Sequence, residues 1–467
     1  MTETASVAGA ADRKSLVERF LSLFSDVKPG EGTVALLLTL NVFLLLVTYY
    51  LLKVVREPLI LLGGAFGLEG ATLKAAASAG QAMLLLVLVP AYGFLANRVN
   101  RVRLITVVTL IFIACLVGFN VLARLRVPVG LAFFIWIGIF NLMVIAQFWS
   151  FANDVYTEAQ GKRLFAIVAF GGTAGAIVGA AIGGELAESI GPYQVMLIAA
   201  GVLVICAFLT RVINRLQTAS DRASSRQEGK ALAGAGGFEL VWKSRYLLYI
   251  GLLVLIYNTV NTNGEFILGD TVTEYAKRLA SNDLPAGLTG EPRARALEDA
   301  AGKIIGGFYG DFFTWVNALT AVIQLFLVSR IFKWFGVRAA LFVLPVIALG
   351  GYAVILVVPS LLVIKVAKVL ENGTDYSLQN TTRQALFLPT SREEKYKAKA
   401  AIDTFFVRFG DLASFGAVYA ATVWLSFGRA GVAVINIVLV AVWLLLAIGI
   451  SVHHRRLSHE DGKAPAR

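Results

Sequence analysis

Charge is the scarcest property of this sequence. Asp, Glu, Lys and Arg make up only 15% of its 467 residues, and 57% are hydrophobic. Soluble globular domains carry about 25% charged residues, so this composition excludes them and predicts an integral membrane protein. The formal net charge of +12 does not indicate nucleic acid, because membrane proteins collect Lys and Arg in their cytoplasmic loops. We therefore expect the lipid bilayer, and no nucleic acid, as a partner.

Cysteine and histidine are also scarce. Both cysteines, Cys115 and Cys206, lie inside apolar runs, so neither a disulfide framework nor a thiolate metal site is indicated. The three histidines all lie between residues 453 and 459, which argues against histidine catalysis or metal ligation within the membrane. The sequence therefore predicts no metal site, no cofactor and no enzymatic activity.

A cleavable signal peptide is not visible. After a polar start, Leu16, Phe20, Leu23, Phe24 and Val27 form an amphipathic stripe, which is typical of a short helix at the membrane surface. A disordered tail over residues 1–32 is the alternative.

About twelve hydrophobic runs are long enough to span a bilayer. They begin near Thr33, Leu73, Arg103, Val129, Leu164, Pro192, Tyr246, Ile304, Val337, Ser360, Ala400 and Gly431. A polar segment at 214–244, rich in small residues, divides them into six and six and is typical of a cytoplasmic linker. We predict two six-helix bundles, 33–213 and 245–452, between an N-terminal segment at 1–32 and a tail at 453–467.

Loop charge predicts the orientation. Lys and Arg concentrate before the first run, after the second, fourth, eighth and tenth runs, and at the C-terminus. Because positively charged loops stay in the cytoplasm, both termini are expected there. Arg124, Arg126 and the mixed loop at Lys277–Lys303 depart from this pattern.

Two basic loops occupy matching places in the two halves. GFLANRVNRVR, at Gly93–Arg103, resembles the G-x-x-x-D/N-R-x-x-R-R/K loop of the major facilitator superfamily, and SRIFKWFGVR, at Ser329–Arg338, is a degenerate counterpart. The resemblance implies a major facilitator fold, that is, an all-α integral membrane protein of about twelve transmembrane helices with a 6+6 pseudo-repeat. In that fold the first, fourth, seventh and tenth helices line the central cavity.

Polar residues inside the membrane concentrate on those four helices, at spacings that place them on one face. They are Tyr49, Lys53, Arg56 and Glu57 in the first, Gln147, Ser150, Asp154 and Glu158 in the fourth, and Asn258, Asn261, Thr262 and Glu265 in the seventh. The tenth carries the longest set, within an arc of roughly 120°, formed by Lys365, Lys368, Glu371, Asp375, Gln379 and Arg383. Other spans are nearly free of charge, apart from Asp311 in the eighth and Asp403, Arg408 and Asp411 in the eleventh.

A charge at the bilayer centre costs at least about 2.5 kcal/mol, so these groups must face one another or water. One explanation is internal ion pairing that only fixes helix packing. Arg408 with Asp411, and Arg56 with Glu57, are candidates for such structural pairs because they are close in sequence.

The other explanation is a binding site. Lys53, Arg56, Lys365 and Lys368 are expected at similar depth in the outer half of the membrane, where four cations would bind a phosphate or carboxylate. Residues expected to contact the rest of the substrate or to couple the cycle are Tyr49, Asn258, Asn261, Glu265, Asp375 and Gln379. Residues expected to serve coupling or gating are Glu57, Arg98, Asp154, Glu158, Asp311, Glu371, Arg383, Arg408 and Asp411.

Four glycines repeat at steps of four in the fifth run, at Gly171, Gly175, Gly179 and Gly183. A phosphate-binding loop is not indicated, because no strand or Lys-Ser/Thr pair accompanies them. We predict a glycine ridge that permits close helix approach.

Two stretches carry a more specific resemblance. FWSFANDVYTEAQGKRLFAIVAFGGTAGAIVGA, at Phe148–Ala180, is similar to the fourth and fifth spans of the bacterial and plastid ATP/ADP translocase family. YSLQNTTRQALFLPTSREEKYKAKAAID, at Tyr376–Asp403, resembles that family's S/N-x-x-Y-A-L-F-x-P-T-x-E…K-x-K-A-A-I-D. The resemblance implies a major facilitator fold and exchange of nucleotides across a membrane, with embedded Lys, Arg and Glu binding the phosphates. We expect that membrane to be the bacterial inner membrane.

Two departures point to a divergent member. The family's first span typically carries R-D-x-K-D, and here Leu59 stands where the lysine would follow Arg56 and Glu57. The loop at Leu284–Asp299 is also longer and more charged than expected. Fold transfers better than substrate in such a case.

The sequence thus favours a monomeric secondary transporter with alternating access for a small anionic, phosphate-bearing solute such as a nucleotide, by exchange or proton coupling. A major facilitator transporter of another solute, such as a peptidoglycan fragment, lipid precursor or metabolite, is the first alternative. A membrane sensor that does not transport is the second.

Overall fold

The computed structural model describes residues 18, 19, 22, 26–96, 101–220, 237–285, 287–391 and 393–461. In this part of the chain twelve long helices follow one another. They are Gly32–Leu61 (α1), Gly70–Ala96 (α2), Arg101–Arg124 (α3), Gly130–Val155 (α4), Glu158–Ser189 (α5), Pro192–Ser220 (α6), Arg245–Asp283 (α7), Gly290–Ala340 (α8), Val343–Val357 (α9), 361–386 (α10), 394–424 (α11) and Gly428–Asp461 (α12). A short helix at Gly237–Lys243 precedes α7, and a hairpin pairs Gly64–Ala65 (β1) with Leu68–Glu69 (β2).

The predicted all-α membrane architecture is confirmed. Eight of the described helices are long and apolar enough to cross a membrane, and α9 is apolar but shorter. Local signals set the helix ends: Gly191, at φ 87°, follows α5, and Pro192 begins α6, where its missing N–H is not needed. Ser244 and Ser360 cap α7 and α10 by accepting hydrogen bonds from backbone N–H groups three residues later.

One expectation about a loop is wrong. The charged stretch at Leu284–Asp299 is largely helical, because α7 continues to Asp283 and α8 already begins at Gly290. The connection between them is therefore short. The charged residues of this stretch lie mainly in the first turns of α8, where water can solvate them, rather than on a long loop.

Two other expectations concern residues outside the described ranges. Of the predicted surface stripe, Leu16, Phe20, Leu23 and Phe24 are not described. Residues 221–236 of the predicted linker also lie outside the described part.

Contacts divide the chain into two units. Unit 1 comprises Met1–Arg56, Tyr92–Val129 and Trp136–Glu228, and unit 2 comprises Glu57–Ala91, Gly130–Ile135 and Gly229–Arg467. Helices α1, α2 and α4 are thus each divided between the units. The predicted domain boundaries stay a prediction.

In unit 1 the glycine ridge of α5 packs directly on the backbone of α1. A Cβ on Gly175 would lie 2.3 Å from the carbonyl oxygen of Phe43, and one on Gly179 would lie 2.6 Å from the Cα of Val47. Gly171 and Gly183 approach α1 one turn before and after, at Thr39 and Leu51 respectively. Both helices therefore advance by four residues per contact, and the predicted glycine ridge is confirmed.

Glu31 joins the start of α1 to the start of α5 within unit 1. Its carboxylate accepts hydrogen bonds from Arg163 Nη1 and Nη2 at 3.0 and 2.8 Å, from Gln160 Nε2 at 3.3 Å and from the Lys28 backbone N–H at 2.9 Å. Burial raises the pKa of Glu31, but these bonds outweigh it and lower the pKa below its usual value. The carboxylate therefore stabilises the fold at neutral pH and loses that contribution as the pH falls through the lowered pKa.

Unit 2 differs in the shape of its helices. Among the described residues it contains five π-helical turns, at Ile323–Leu327, Asp375–Gln379, Glu394–Ala398, Ile402–Phe406 and Ala420–Trp424. Each π turn contains about one residue more than an α-helical turn. The residues after it therefore lie on a different face of the helix than an uninterrupted α-helix would give them. Helix α8 is also broken at Gly336, whose φ of 77° few other residues adopt.

The ridge predicts a sharp contrast between two glycines of unit 1. Gly175→Ala should lower the free energy of unfolding by about 1–3 kcal/mol, because its methyl group meets backbone that has no room to move. Gly201→Ala on α6 is the control: its Cβ meets nothing within 4 Å, and the substitution should be neutral or stabilise by up to about 1 kcal/mol. Thermal unfolding of the purified variants measures both. Equal midpoints for the two variants would contradict the ridge.

Candidate functional site

A buried lysine on α10 lies at the centre of a polar cluster in unit 2. Lys368 is only 1% exposed. Its ammonium donates to Asn261 Oδ1 at 2.8 Å and lies 3.2 Å from Glu371 Oε1 and 3.9 Å from Glu265 Oε1. Three residues predicted for the substrate site and one predicted for gating thus meet where α7 and α10 pack together.

The cluster continues through a second lysine, Lys74, near the start of α2. Lys74 Nζ lies 2.7 Å from Glu57 Oε2 and 3.5 Å from Glu265 Oε2, and it lies 5.2 Å from the ring centre of Tyr309. The closest of these contacts is an ion pair by distance, although its angle is not that of a hydrogen bond. Glu265 therefore links the two lysines, and the carboxylates and ammonium groups alternate from Glu57 to Glu371.

Neutral polar groups hold the carboxylates in place. Tyr352 donates its hydroxyl hydrogen to Glu371 Oε2 at 2.9 Å, and Asn372 Nδ2 donates to Glu265 Oε1 at 3.0 Å. Such bonds fix the carboxylates in the orientation in which they meet the ammonium groups.

The position of Gly264 explains how these groups come so close. A Cβ there would lie 2.3 Å from the Tyr352 hydroxyl and 2.8 Å from Lys368 Nζ. A side chain at 264 would therefore displace the phenol hydroxyl and the ammonium from their present positions. The glycine is thus required by the close approach of the cluster to the α7 backbone.

The predicted stripe on α10 meets two different neighbours. Lys365 forms an ion pair with Asp311 on α8 and lies 5.3 Å from the ring centre of Phe308, whereas Lys368 faces α7. The two α10 lysines predicted to hold an anion therefore already contact carboxylates of unit 2. The prediction of a binding role for them stays open, but any anion must compete with these partners.

The π turn of α10 and the helical turn after it line a cavity of about 300 Å³. Arg383 Nη1 donates to the hydroxyl of Tyr257 at 2.6 Å, and its Nε lies 3.8 Å from Asp403 Oδ1. The lining residues are Tyr257, Asp375, Tyr376, Gln379, Asn380 and Arg383. The structure thus brings together Asp375 and Gln379, predicted for substrate, with Arg383, predicted for gating.

A third group joins α7 to α11. Asp411 accepts hydrogen bonds from Asn258 Nδ2 at 2.8 Å and Thr262 Oγ1 at 3.3 Å, and Arg408 Nη1 lies 3.5 Å from its other oxygen. Arg408 and Asp411 are therefore paired, as one explanation of their spacing required. Asn258 Nδ2 also donates a hydrogen bond to the carbonyl oxygen of Val407 at 2.9 Å.

Unit 1 contains the predicted site residues Tyr49, Lys53 and Arg56 of α1, Asp154 of α4 and Glu158 of α5. Lys53 Nζ lies 5.9 and 5.2 Å from the ring centres of Tyr49 and Tyr50, and Arg56 is half-buried. Asp154 is exposed near the end of α4. The roles predicted for these residues stay predictions.

Two gating residues cannot be placed. Arg98 lies outside the described residues, and Glu158 begins α5 without a described side chain.

Sequence reasoning missed Lys74, Tyr352 and Asn372. Lys74 is 5% exposed, so the expectation that the other spans are nearly free of charge overlooked a buried lysine of α2. Its position near the start of a long apolar helix resembles an ordinary interfacial lysine. The signal that could have identified it is the pair of acidic residues, Glu57 and Glu265, that required neutralisation at similar depth.

Solved structures resemble this fold across nearly the whole chain. A bacterial homolog of the human lysosomal transporter Spinster covers 94% of this chain and 100% of its own, with a TM-score of 0.57 and 15% identity. The nucleoside transporter NupG covers 89% of this chain and 98% of its own, with a TM-score of 0.61 and 13% identity. The predicted major facilitator fold is confirmed.

A curated relative carries more specific similarity. "ADP,ATP carrier protein 1" of Chlamydia trachomatis serovar D is 24% identical over 308 residues, which are 58% of this chain and 54% of the relative. The chain thus spans about half the length of this relative.

A family model agrees with the similarity to solved transporters and to the ADP,ATP carrier. The model described as TLC ATP/ADP transporter matches residues 132–456, which is more than half of the chain. The match includes both stretches on which the resemblance to ATP/ADP translocases was founded, and it confirms that resemblance. The chain belongs to the TLC ATP/ADP transporter family.

Proposed function

We propose that this protein is a secondary transporter that exchanges phosphate-bearing anions, nucleotides among them, across a membrane by alternating access. The family consists of transporters, so the prediction that the chain is not an enzyme is confirmed. Relatives named ADP,ATP carriers support nucleotides as the substrate class. One structural observation carries the mechanism: the buried, fully paired ammonium of Lys368.

The pairing of Lys368 suits an exchanger. Removing one ion of a buried pair is strongly destabilising, about 3–5 kcal/mol, because the other charge is left uncompensated. A phosphate oxygen can replace the carboxylate of Glu371 at the ammonium, since both are anionic oxygens of similar size. The substrate would then offset the part of this penalty that falls on the ammonium, while Glu371 keeps its hydrogen bond from Tyr352. An empty protein has no such replacement, which favours exchange over net leakage.

The second lysine extends this mechanism to α1 and α2. Glu57 is fully buried and lies beside Lys74, which also contacts Glu265. Glu265 in turn faces Lys368. A ligand that withdraws Lys368 from Glu265 changes the charge balance at Lys74, so occupancy of α10 is coupled to the end of α1.

The remaining assignments rest on sequence and family. We propose that the protein lies in a bacterial inner membrane, with both termini cytoplasmic because Lys and Arg concentrate in those loops. The bundle is expected to act as a monomer and to bind no nucleic acid. Its ligand is a small anionic solute.

Competition at Lys368 predicts an unusual direction of change. Glu371→Gln removes the internal anion but keeps the hydrogen bond with Tyr352, so ATP and ADP should bind about tenfold more tightly and exchange more slowly. Lys368→Gln should abolish nucleotide binding. Binding is measured by thermal shift in detergent, where a ligand at 100 times its dissociation constant adds about 2.7 kcal/mol. Exchange is measured by counterflow in proteoliposomes.

Lys243→Ala is the matched control. This lysine pairs with Glu239 on the short helix before α7, its side chain is 70% exposed, and its loss should change neither binding nor exchange. Weaker nucleotide binding by the Glu371 variant would contradict the competition. A thermal response to another anion but to no nucleotide would contradict nucleotides as the substrate and would leave the proposal of an anion transporter intact.

The contact between Lys74 and Glu57 predicts strong coupling of their substitutions. Lys74→Met should lower the free energy of unfolding by about 3 kcal/mol or more, because it leaves buried carboxylates without this ammonium. Adding Glu57→Gln should recover about 1–3 kcal/mol relative to the sum of the single effects. Denaturation of the four proteins in detergent gives the cycle.

The pair Lys243 and Glu239 again supplies the control. It is an exposed i, i+4 pair, for which Lys243→Met and Glu239→Gln should be coupled by only about 0.3–0.5 kcal/mol. Additive effects at Lys74 and Glu57 would show that the two charges do not depend on each other.

A further inference from the structure

The lining of the cavity on α10 includes a buried glutamine, Gln379. Gln379 is only 2% exposed, and neither its Nε2 nor its Oε1 has a hydrogen-bond partner among the described residues. Burying an unpaired polar group is costly, so proteins normally pair such groups or use them. Both atoms belong to a side chain that lines the cavity.

The chemistry of the amide specifies its complement. A glutamine presents a donor beside an acceptor in one plane. The matching ligand carries an acceptor beside a donor on a flat edge. Such edges are found on nucleobases, where a ring nitrogen neighbours an amino group, and a glutamine pairs with them through two bonds.

The charges around the cavity argue against a phosphate there. Asp375 and Arg383 both line it, and their formal charges cancel. Arg383 is further engaged by Tyr257, by Asn380 Oδ1 at 3.3 Å and by Asp403. The cavity is therefore suited to a neutral polar group.

Two tyrosines give the cavity an aromatic lining. Tyr257 and Tyr376 both line it, and aromatic side chains bind flat rings through stacking. A volume of about 300 Å³ is at the lower limit for ligand pockets, which suits one end of a nucleotide rather than the whole molecule.

We propose that this cavity binds the heteroaromatic ring of the transported solute and that Gln379 pairs with the edge of that ring. The inference rests on the proposed transport of phosphate-bearing solutes and adds a specificity-determining residue. Base-bearing ligands gain affinity here that ligands consisting of phosphate alone do not.

Gln379→Met tests this directly, because methionine has a similar volume and no hydrogen-bonding group to satisfy. Dissociation constants for ATP and for inorganic triphosphate are measured by thermal shift on the purified full chain. In the wild type, ATP should bind at least tenfold more tightly than triphosphate. In the variant, ATP should weaken by about tenfold and triphosphate should stay unchanged. The empty variant should unfold at the same temperature as the wild type or higher, because it no longer buries an unpaired amide.

Gln384→Met is the matched control, since Gln384 lies on the same helix but is exposed outside the cavity lining. It should alter neither ligand. Equal weakening of ATP and triphosphate by Gln379→Met, or no weakening of either, would overturn the ring site. Equal affinity of the wild type for the two ligands would overturn it while leaving the anion transporter intact. A wild type that binds neither ligand would remove the proposed function and this inference together.

Discussion

A charge inside the bilayer needs a partner, and this requirement determines how unit 2 is built. Lys368 and Lys74 contact three carboxylates from α1, α7 and α10. The apolar surroundings make every broken pair expensive. Two other features follow from the need to pair these charges. Gly264 leaves room for the ammonium of Lys368, and the hydroxyl of Tyr352 orients the carboxylate of Glu371.

In the proposed mechanism, anion binding and recognition of the rest of the solute are separated along α10. Its first half carries the ion-paired charges at which we propose that the anion binds, and its second half lines a cavity whose formal charges cancel. A solute with a phosphate at one end and a ring at the other would use both halves. The two ends of the ligand would then contribute independently to affinity, and each half of the helix can diverge without the other.

Much of the fold could be predicted from the sequence. Hydropathy predicted about twelve spans, and eight of the described helices are long and apolar enough to cross a membrane. Steps of four predicted the glycine ridge, because helical packing repeats with that local period. The ion-pair partners of the charged side chains could not be predicted, because Lys365 contacts Asp311 and Lys368 contacts Glu265 across two different helix pairs. Lys74 was overlooked for the same reason: a single lysine in an apolar helix has no periodic signal, and its importance comes from neighbours distant in the chain.

The π turn at Asp375–Gln379 has a consequence for how this family diverges. An ideal α-helix turns about 100° per residue, so deleting one residue from that turn would rotate everything beyond it by that angle. Gln379 and Arg383 would then leave the side of α10 that faces Tyr257. Between Lys368 and Arg383, natural selection should therefore preserve the number of residues more strictly than their identity. Alignments of relatives should be free of insertions and deletions there even where few residues match.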